Sequence, residues 1–319
     1  MSLQATLLDL KNQLSESIIG QSHLLDRLLI SLLADGHLLV EGAPGLAKTK
    51  AIKELASNIE GDFQRIQFTP DLLPADITGS DIYRPETGNF EFRKGPIFHN
   101  LVLADEINRA PAKVQSALLE AMAERQVTVS GRSYPLDGLF MVMATQNPIE
   151  QEGTYPLPEA QLDRFLLHVR IDYPDSESEL NILRLARHEA AGPKVKESQP
   201  LEQEAIFQAR KEVLNVYMAD SVEQYIVQII MATRFPEKYD AKLAEWLEYG
   251  GSPRATIALD RCARAHAWLN GKDFVAPEDV QAMAFDVLRH RLITSFKAEA
   301  EGVSTDKVIA RLLEQVPVP

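Results

Sequence analysis

The sequence predicts an α/β nucleotide-binding domain followed by an all-helical domain. From His37 onward, a short apolar strand, a glycine-rich loop and a helix follow one another, which is the order of a phosphate-binding P-loop. Further short apolar segments predict strands at 62–68, 101–104, 140–145 and 165–171. Beyond about residue 175, apolar residues recur three or four apart, which is typical of helices. Proline at position 174 marks the boundary, so we expect domains at 1–174 and 175–319.

The composition is typical of a soluble globular protein. The 319 residues are 45% hydrophobic and 25% charged, and no apolar run is long enough to span a bilayer. The net charge of −13 disfavours a protein that coats nucleic acid. We see no secretory signal, and the single cysteine, Cys262, excludes an intramolecular disulfide and a cysteine-based zinc site. These features favour a cytoplasmic location.

The glycine-rich loop is the candidate phosphate site. It consists of Gly42, Ala43, Pro44, Gly45, Leu46, Ala47, Lys48 and Thr49. The glycines allow a tight turn whose N–H groups face phosphate oxygens, and the following helix, predicted from Lys50, adds its positive dipole end. Lys48 can reach the β- and γ-phosphates, and the Thr49 hydroxyl can bind Mg²⁺. Ala47 stands where a glycine is usual.

A short connector precedes this loop, between predicted helices at 4–15 and up to about Ala34. Its residues Ile19, Gly20 and Gln21 are candidates for contacting the nucleotide base. The alternative is core packing, which is the commoner fate of an Ile-Ile pair such as Ile18 and Ile19.

Polar residues at the ends of two later strands supply candidates for hydrolysis. Asp105 and Glu106 end an apolar strand, and ligands of open α/β sheets bind at that edge. Asp105 can hold Mg²⁺ through its waters, and Glu106 can polarise the attacking water. Asn147 ends the next strand and can orient the water or touch the γ-phosphate, although an Asn-Pro pair alone is more often a turn.

Two arginines are candidates for positive charge at the γ-phosphate. Arg164 directly precedes the fifth strand, where an ordinary ion pair is the alternative explanation. Arg254 opens a helix, an end at which cations are disfavoured, so its position suggests an anionic partner. The seven histidines show no metal-ligand spacing and are interpreted as structural.

Five ordered motifs resemble those of the AAA+ ATPases, and within them the MoxR family. GAPGLAKT resembles Walker A, LVLADEINRAP resembles Walker B, MATQNP resembles sensor 1, EAQLDRF resembles the arginine-finger segment, and GSPRA resembles sensor 2. The segment FTPDLLPADITGSDIY resembles the helix-2 region of the family. Walker A sequences of MoxR proteins share the alanine at the position of Ala47.

The resemblance implies ATP or ADP and Mg²⁺ as cofactors and a five-stranded parallel sheet of order 5-1-4-3-2 before the all-α lid. Two predicted hairpins, turning at 85–89 and 130–132, would be the helix-2 and pre-sensor-1 inserts. Arg164 would act across a subunit boundary in a ring, usually a hexamer, and Arg254 would act in cis from the lid. MoxR proteins resemble chaperones that mature or activate other complexes, often with a von Willebrand factor A-domain partner.

Other functions stay open at this point. A nucleic-acid-remodelling motor would share these motifs, and the first hairpin carries Arg84, Arg93 and Lys94, although the net charge disfavours it. A non-hydrolysing switch or scaffold would not need an intact set of catalytic candidates. A transcription-activating ATPase is disfavoured because no GAFTGA-like loop occurs.

Overall fold

The computed structural model describes residues 2–148, 153–190, 192 and 199–319. Its strands are β1 (Leu38–Glu41), β2 (Phe63–Gln67), β3 (Gly79–Arg84), β4 (Asn89–Lys94), β5 (Leu101–Asp105), β6 (Gln126–Val129), β7 (Arg132–Pro135), β8 (Met141–Gln146), β9 (Leu167–Arg170), β10 (Tyr217–Met218), β11 (Leu247–Tyr249), β12 (Phe274–Val275) and β13 (Ile293–Thr294). The helices are α1 (Leu3–Ser17), α2 (Ser22–Leu33), α3 (Lys48–Ser57), α4 (Pro74–Thr78), α5 (Ala112–Glu124), α6 (Glu159–Leu162), α7 (Ser176–Ala190), α8 (Gln203–Leu214), α9 (Asp220–Arg234), α10 (Ala241–Trp246), α11 (Pro253–Leu269), α12 (Pro277–Leu288), α13 (Phe296–Ala300) and α14 (Thr305–Gln315).

The central sheet has five parallel strands in the order β2-β5-β8-β1-β9. Counted along the chain, this is the order 5-1-4-3-2, which confirms the expectation from the family resemblance. β5 is buried throughout, and β8 along all but its last residue, since both faces of the sheet are covered. β1 lies between β8 and β9, so the loop that follows it opens at the carboxyl edge of the sheet, next to the end of β8.

Both predicted hairpins are present, and they pack against each other. β3 pairs with β4, and β6 pairs with β7, each in antiparallel register. The ring of Phe92 on β4 stacks on Tyr134 of β7 with centroids 4.0 Å apart, and it also meets Phe98 edge-on. The two hairpins therefore form one aromatic-linked unit beside the sheet.

The part beyond residue 175 is mainly helical, as predicted, but it is not helical only. Short strand pairs join β10 to β12 in parallel and β11 to β13 in antiparallel register. These strands have two or three residues each, too few for a periodic pattern to reveal. The prediction of helices alone was wrong at these connectors, whose backbone groups bond to one another between the helices.

The helical part shares its hydrophobic core with one face of the sheet. A single cluster of buried side chains includes Leu28 of α2, Val40 of β1, Leu55 of α3 and Leu259 of α11. Helices α1 and α2 contact both α8 and α11, so the first helices of the chain lie against the C-terminal helices. The other face of the sheet packs on α5 through a second cluster that includes Phe165.

Candidate nucleotide site

The glycine-rich loop turns tightly at the end of β1. Gly42 lies so close to Ile171 that a Cβ atom on it would stand 2.4 Å from the Ile171 side chain. Gly45 and Ala47 both have left-handed backbone, with φ of 84° and 58°. For Ala47 this conformation costs roughly 1 kcal/mol. Helix α3 begins at Lys48, two residues earlier than predicted, and so it directs its first free N–H groups into the loop.

Lys48 is held across this loop. Its Nζ donates to the carbonyl oxygen of Gly42 at 2.5 Å and to that of Gln146 at 3.4 Å. Partial burial lowers the pKa of Lys48, while the nearby carboxylates of Asp105, Glu106 and Glu41 act in the opposite direction. The ammonium group is therefore positioned at the base of the loop beside the acidic pair.

Asp105 and Glu106 end β5 in two different environments. The Asp105 carboxylate accepts from the Thr145 hydroxyl at 2.5 Å and from Arg65 at 2.7 Å. Glu106 has left-handed backbone with φ of 57°, and its N–H donates to the Thr145 hydroxyl oxygen at 2.9 Å.

The Glu106 carboxylate is held by two polar side chains. It accepts from the Gln67 amide at 2.9 Å and from Arg109 at 3.3 Å. One side chain comes from the neighbouring strand β2 and the other from the segment after β5. The carboxylate is thus oriented from two sides.

One pocket contains most of the residues predicted to bind phosphate and Mg²⁺ and to catalyse hydrolysis. It is lined by Lys48, Thr49, Asp105, Glu106 and Asn147, together with the loop. The Thr49 hydroxyl and the Asp105 carboxylate are oxygen donors of the kind that Mg²⁺ prefers. Within the described residues, no group of three or more His, Cys, Asp or Glu side chains forms a metal site by itself. These residues fit Mg²⁺ held mainly by phosphate and water, with few protein ligands.

A second pocket adjoins the glycine-rich loop, and residues of the connector contribute to its lining. Ile19 and Gln21 line it together with Tyr173, Pro174 and residues of α7. The Gln21 amide donates to the Asp172 carbonyl oxygen at 3.1 Å, which ties the connector to the chain after β9. This apolar pocket suits a flat nucleotide base.

Gly20 has a different environment from its two neighbours in the connector. It has φ of 76°, and a Cβ atom there would stand 2.8 Å from Pro174. It is not among the residues that line the base pocket. Gly20 thus provides the turn of the connector, and its expected contact with the base stays a prediction.

The two arginines lie together, away from the glycine-rich loop. Arg164 and Arg254 line one pocket with Gly36 and His37, at the amino end of β1. The loop follows the carboxyl end of the same four-residue strand, which is about 13 Å long. The Arg164 guanidinium donates to the Leu119 carbonyl oxygen at 2.7 Å, and Arg254 lies 4.0 Å from Asp163.

The expectation that Arg254 acts in cis stays a prediction, and the contacts at the start of α11 bear on it. Helix α11 begins beside Asp163, where the Ser252 hydroxyl donates to that carboxylate at 2.9 Å. Arg291 of the segment after α12 also bonds Asp163, at 2.8 Å. These contacts fix the start of α11 at the amino edge of the sheet, while the phosphate loop opens at the opposite edge.

The comparisons agree with this architecture. The family model described as "ATPase family associated with various cellular activities" matches residues 37–167, and an AAA lid domain model matches residues 242–312. The chain is 46% identical to Chaperone MoxR1 of Mycobacterium tuberculosis, over 95% of this chain and 79% of that protein. It is 29% identical to Protein MoxR of Methylorubrum extorquens, over 97% of this chain and 94% of that protein.

The chain belongs to the MoxR family of AAA+ ATPases. A crystal structure of a candidate ATPase from Cytophaga hutchinsonii superposes with a TM-score of 0.90 at 45% identity, covering 99% of this chain and 96% of that one. The resemblance seen in the sequence is therefore confirmed for the family, for the fold and for ATPase activity. No helix in the described ranges is long and apolar enough to cross a membrane.

Several residues at this MoxR-family site were not predicted from the sequence. Arg65, Gln67 and Thr145 hold the acidic pair, and α7 closes the base pocket through an ion pair between Glu189 and Lys50 at 2.8 Å. The sequence does not distinguish these residues, because each is an ordinary polar residue on a strand or a helix. Only the pairing of β2 with β5 and of β5 with β8 brings the first three together.

Cys262 is the one cysteine of the sequence. The residue is fully buried in α11, and burial raises the pKa of its thiol to about 12. A thiol with that pKa stays protonated at neutral pH and is a poor nucleophile.

Proposed function

We propose that this ATPase hydrolyses Mg·ATP at the interfaces of a head-to-tail ring and uses the cycle to remodel a protein client. One observation carries the proposal: Arg164 and Arg254 share a pocket at the opposite edge of the sheet from Lys48, Asp105 and Glu106. No arginine is among the described residues that line the phosphate pocket. Phosphoryl transfer of this kind gains a large part of its rate from an arginine at the γ-phosphate.

The contacts within one subunit support a role for each residue of the site. Lys48 and the N–H groups at the start of α3 bind the β- and γ-phosphates. When bound, Mg²⁺ neutralises charge on the phosphate oxygens, and Thr49 and Asp105 are the residues that would hold it. Glu106, oriented by Gln67 and Arg109, accepts a proton from the attacking water, while the Asn147 amide orients that water.

The separation of the two pockets supports the proposed ring. A head-to-tail interface brings one edge of a subunit against the opposite edge of its neighbour and closes when the rotation allows. Arg164 then reaches the nucleotide of the neighbour, and Arg254 reaches it with Arg164, because both line one pocket. We therefore assign both arginines to the neighbouring site, in a ring that the family resemblance suggests is a hexamer.

The client is proposed from the relatives and from the hairpins. One relative, at 46% identity, is named as a chaperone, Chaperone MoxR1. Tyr83 and Phe90 near the tip of the first hairpin are 53% and 70% exposed, with ring centroids 5.4 Å apart. Exposed aromatic side chains of this kind mark contact surfaces for proteins. By family resemblance, a von Willebrand factor A-domain protein in the cytoplasm is the partner to test first.

The nucleic-acid alternative gains no support from the same hairpin. Of its three cationic residues, Arg84 forms an ion pair with Glu91 at 2.7 Å. Lys94 lies over the Phe98 ring at 5.2 Å, and the chain as a whole carries a net charge of −13. A surface for a phosphate backbone needs unpaired positive charge in a continuous stripe.

The decisive experiment mixes two inactive variants, Glu106→Gln and Arg164→Ala. In a mixed ring, some interfaces join an intact Glu106 to an intact Arg164 of the neighbour, so hydrolysis partly returns. The rate of phosphate release is measured across mixing ratios, with each variant alone as the control. If mixing restores nothing while both variants still assemble, Arg164 does not act across the interface.

A further inference from the structure

The pocket at the amino edge of the sheet carries more positive charge than its two acidic residues can balance. Its lining includes the arginines Arg125, Arg164, Arg254, Arg261 and Arg291. The carboxylates in the same lining are Asp35 and Asp163. His37 adds no charge at neutral pH, since burial lowers its pKa to about 4. A cationic pocket of this kind stands out on a chain whose net charge is −13.

The partners of these arginines divide them into two groups. Arg125 bonds Asp35, which also pairs with Arg210 at 2.6 Å, and Arg291 bonds Asp163 at 2.8 Å, so each of these two has a close carboxylate partner. Arg254 is 4.0 Å from Asp163, a carboxylate that already bonds Arg291. Arg164 donates to a backbone carbonyl oxygen. For the exposed Arg261, no hydrogen bond or ion pair is found within the described residues.

Helix geometry brings Arg261 to the same side of α11 as Arg254. The two residues are seven positions apart, which is about two turns, or about 10 Å along the axis. Ile257 and Ala258, on the turn between them, line the pocket as well. Arg164 closes the pocket from the core domain. Three arginines without a dedicated carboxylate thus converge on one opening.

We propose that Arg261 is a third cation for the phosphates of the nucleotide held by the neighbouring subunit, beside Arg164 and Arg254. The inference rests on the proposed ring, because only there does this pocket face a phosphate chain. A nucleoside triphosphate is the occupant that matches the pocket. It is a compact polyanion, and its γ-phosphate, bound by Lys48, faces the neighbour's arginines in the proposed ring. The pocket is complementary to that anion in charge and lies at the edge that meets it.

The test compares Arg261→Gln with Arg261→Lys and with the control Lys242→Gln. Lys242 is an exposed lid residue outside the pocket, so its variant removes the same charge elsewhere. At saturating ATP, and at protein concentrations where the ring is formed, Arg261→Gln lowers kcat about ten- to a hundredfold, as expected for one charge-assisted contact. Arg261→Lys retains an intermediate rate, and Lys242→Gln matches the wild type.

A trans readout separates a phosphate contact from a structural role. ATP binding by isolated Arg261→Gln subunits stays at the wild-type level, because the loop is untouched. Mixing Arg261→Gln with Glu106→Gln raises phosphate release above the weighted mean of the two variants. A structural defect in Arg261→Gln would weaken its own subunit and give no such gain.

The outcomes also distinguish this inference from the ring proposal. If Arg164→Ala is inactive and rescued by mixing while Arg261→Gln has the wild-type kcat, the ring stands and the role of Arg261 is overturned. If Arg164→Ala is not rescued either, the ring proposal itself fails. If Arg261 affects the binding of inorganic tripolyphosphate to isolated subunits but not kcat in the ring, the pocket holds a free anion and the inference is overturned.

Discussion

Two residues of the nucleotide site keep a left-handed backbone without being glycine. Ala47 precedes α3 and Glu106 follows β5, with φ of 58° and 57°. The sequence revealed the candidates but not the conformation of Glu106, since nothing in the motif specifies its backbone. Such conformations cost roughly 1 kcal/mol or more and persist where neighbouring contacts hold them. At Glu106 the Thr145 hydroxyl supplies one such contact, at 2.9 Å.

The backbone strain at Ala47 predicts how replacing this alanine by glycine changes the free energy of unfolding. Ala47→Gly leaves the free energy of unfolding unchanged or raises it by up to about 1 kcal/mol, because glycine adopts this backbone freely. Ala310→Gly, in the interior of α14, is the matched control and lowers that energy by about 1 kcal/mol. Chemical denaturation measures both. A loss at Ala47→Gly as large as at Ala310→Gly would contradict the interpretation.

The phosphate pocket predicts that binding and turnover respond to different residues. Lys48→Ala loses nucleotide binding, since the phosphates lose the ammonium group beside them. Glu106→Gln binds ATP with near wild-type affinity and loses nearly all turnover, because the amide cannot accept a proton. Titration with a fluorescent nucleotide measures binding, and phosphate release measures turnover. Wild-type hydrolysis in both variants would show that the site is elsewhere.

His37 predicts a dependence of stability on pH. Its Nδ1 accepts from the Val142 N–H at 3.0 Å, and burial lowers its pKa from 6.5 to about 4. Between these values the unfolded chain binds a proton that the folded chain does not, so the free energy of unfolding falls as pH falls. This group contributes a loss of about 3 kcal/mol across that window.

The measurement is urea denaturation at pH 7 and pH 4.5, on the wild type and on His37→Gln. The non-titrating variant loses less stability on acidification than the wild type does. His188→Gln is the control, because that histidine is exposed on α7. Equal losses in the wild type and in His37→Gln would remove His37 as the cause.

At the scale of elements, long segments with apolar periodicity were predictable. Very short strands, and contacts between segments far apart in the sequence, were not. The five sheet strands and the principal helices of the lid follow from apolar periodicity. The pairs β10–β12 and β11–β13 are too short to leave a pattern, and they form only because tertiary packing brings their segments together. The contact between the hairpins also depends on tertiary structure, since it joins Phe92 to Tyr134 across the intervening strand and helix.

This hairpin contact predicts a local effect of truncating Phe92. Phe92→Ala removes the stack at 4.0 Å, and the two hairpins separate and become more sensitive to protease. The melting temperature changes little, because the residue lies outside the two buried clusters. Phe90→Ala is the control, since the Phe90 ring contacts Tyr83 of its own hairpin. Equal protease resistance in Phe92→Ala and in the wild type would contradict the coupling.

At the scale of the whole molecule, the family and the sheet order were predictable, but the position of the lid was not. Motif order identifies Arg254 without specifying which edge of the sheet it reaches. That edge is set by contacts of Asp163 with Ser252 and Arg291, residues far apart in the sequence. The sequence therefore predicts the residue, and the subunit on which Arg254 acts depends on the proposed ring.

The shared site of the proposed ring predicts a dependence of activity on protein concentration. Phosphate release per subunit rises with protein concentration as interfaces form, by a factor on the order of a thousand between isolated and assembled chains. Light scattering on the same samples measures the assembly. Arg164→Ala assembles in the same range without this rise. A constant rate per subunit across the assembly transition would contradict a shared site.

The core that joins α2, β1, α3 and α11 has a mechanical consequence. Side chains packed in one cluster resist sliding past one another, so a hinge between the P-loop helix and the lid would have to break that packing. In the proposed ring, changes at the nucleotide would then move each chain as one stiff body against the next. The work delivered to a client would come from tilting between whole subunits, and each subunit would respond to the ATP of one neighbour, which gives the ring a direction.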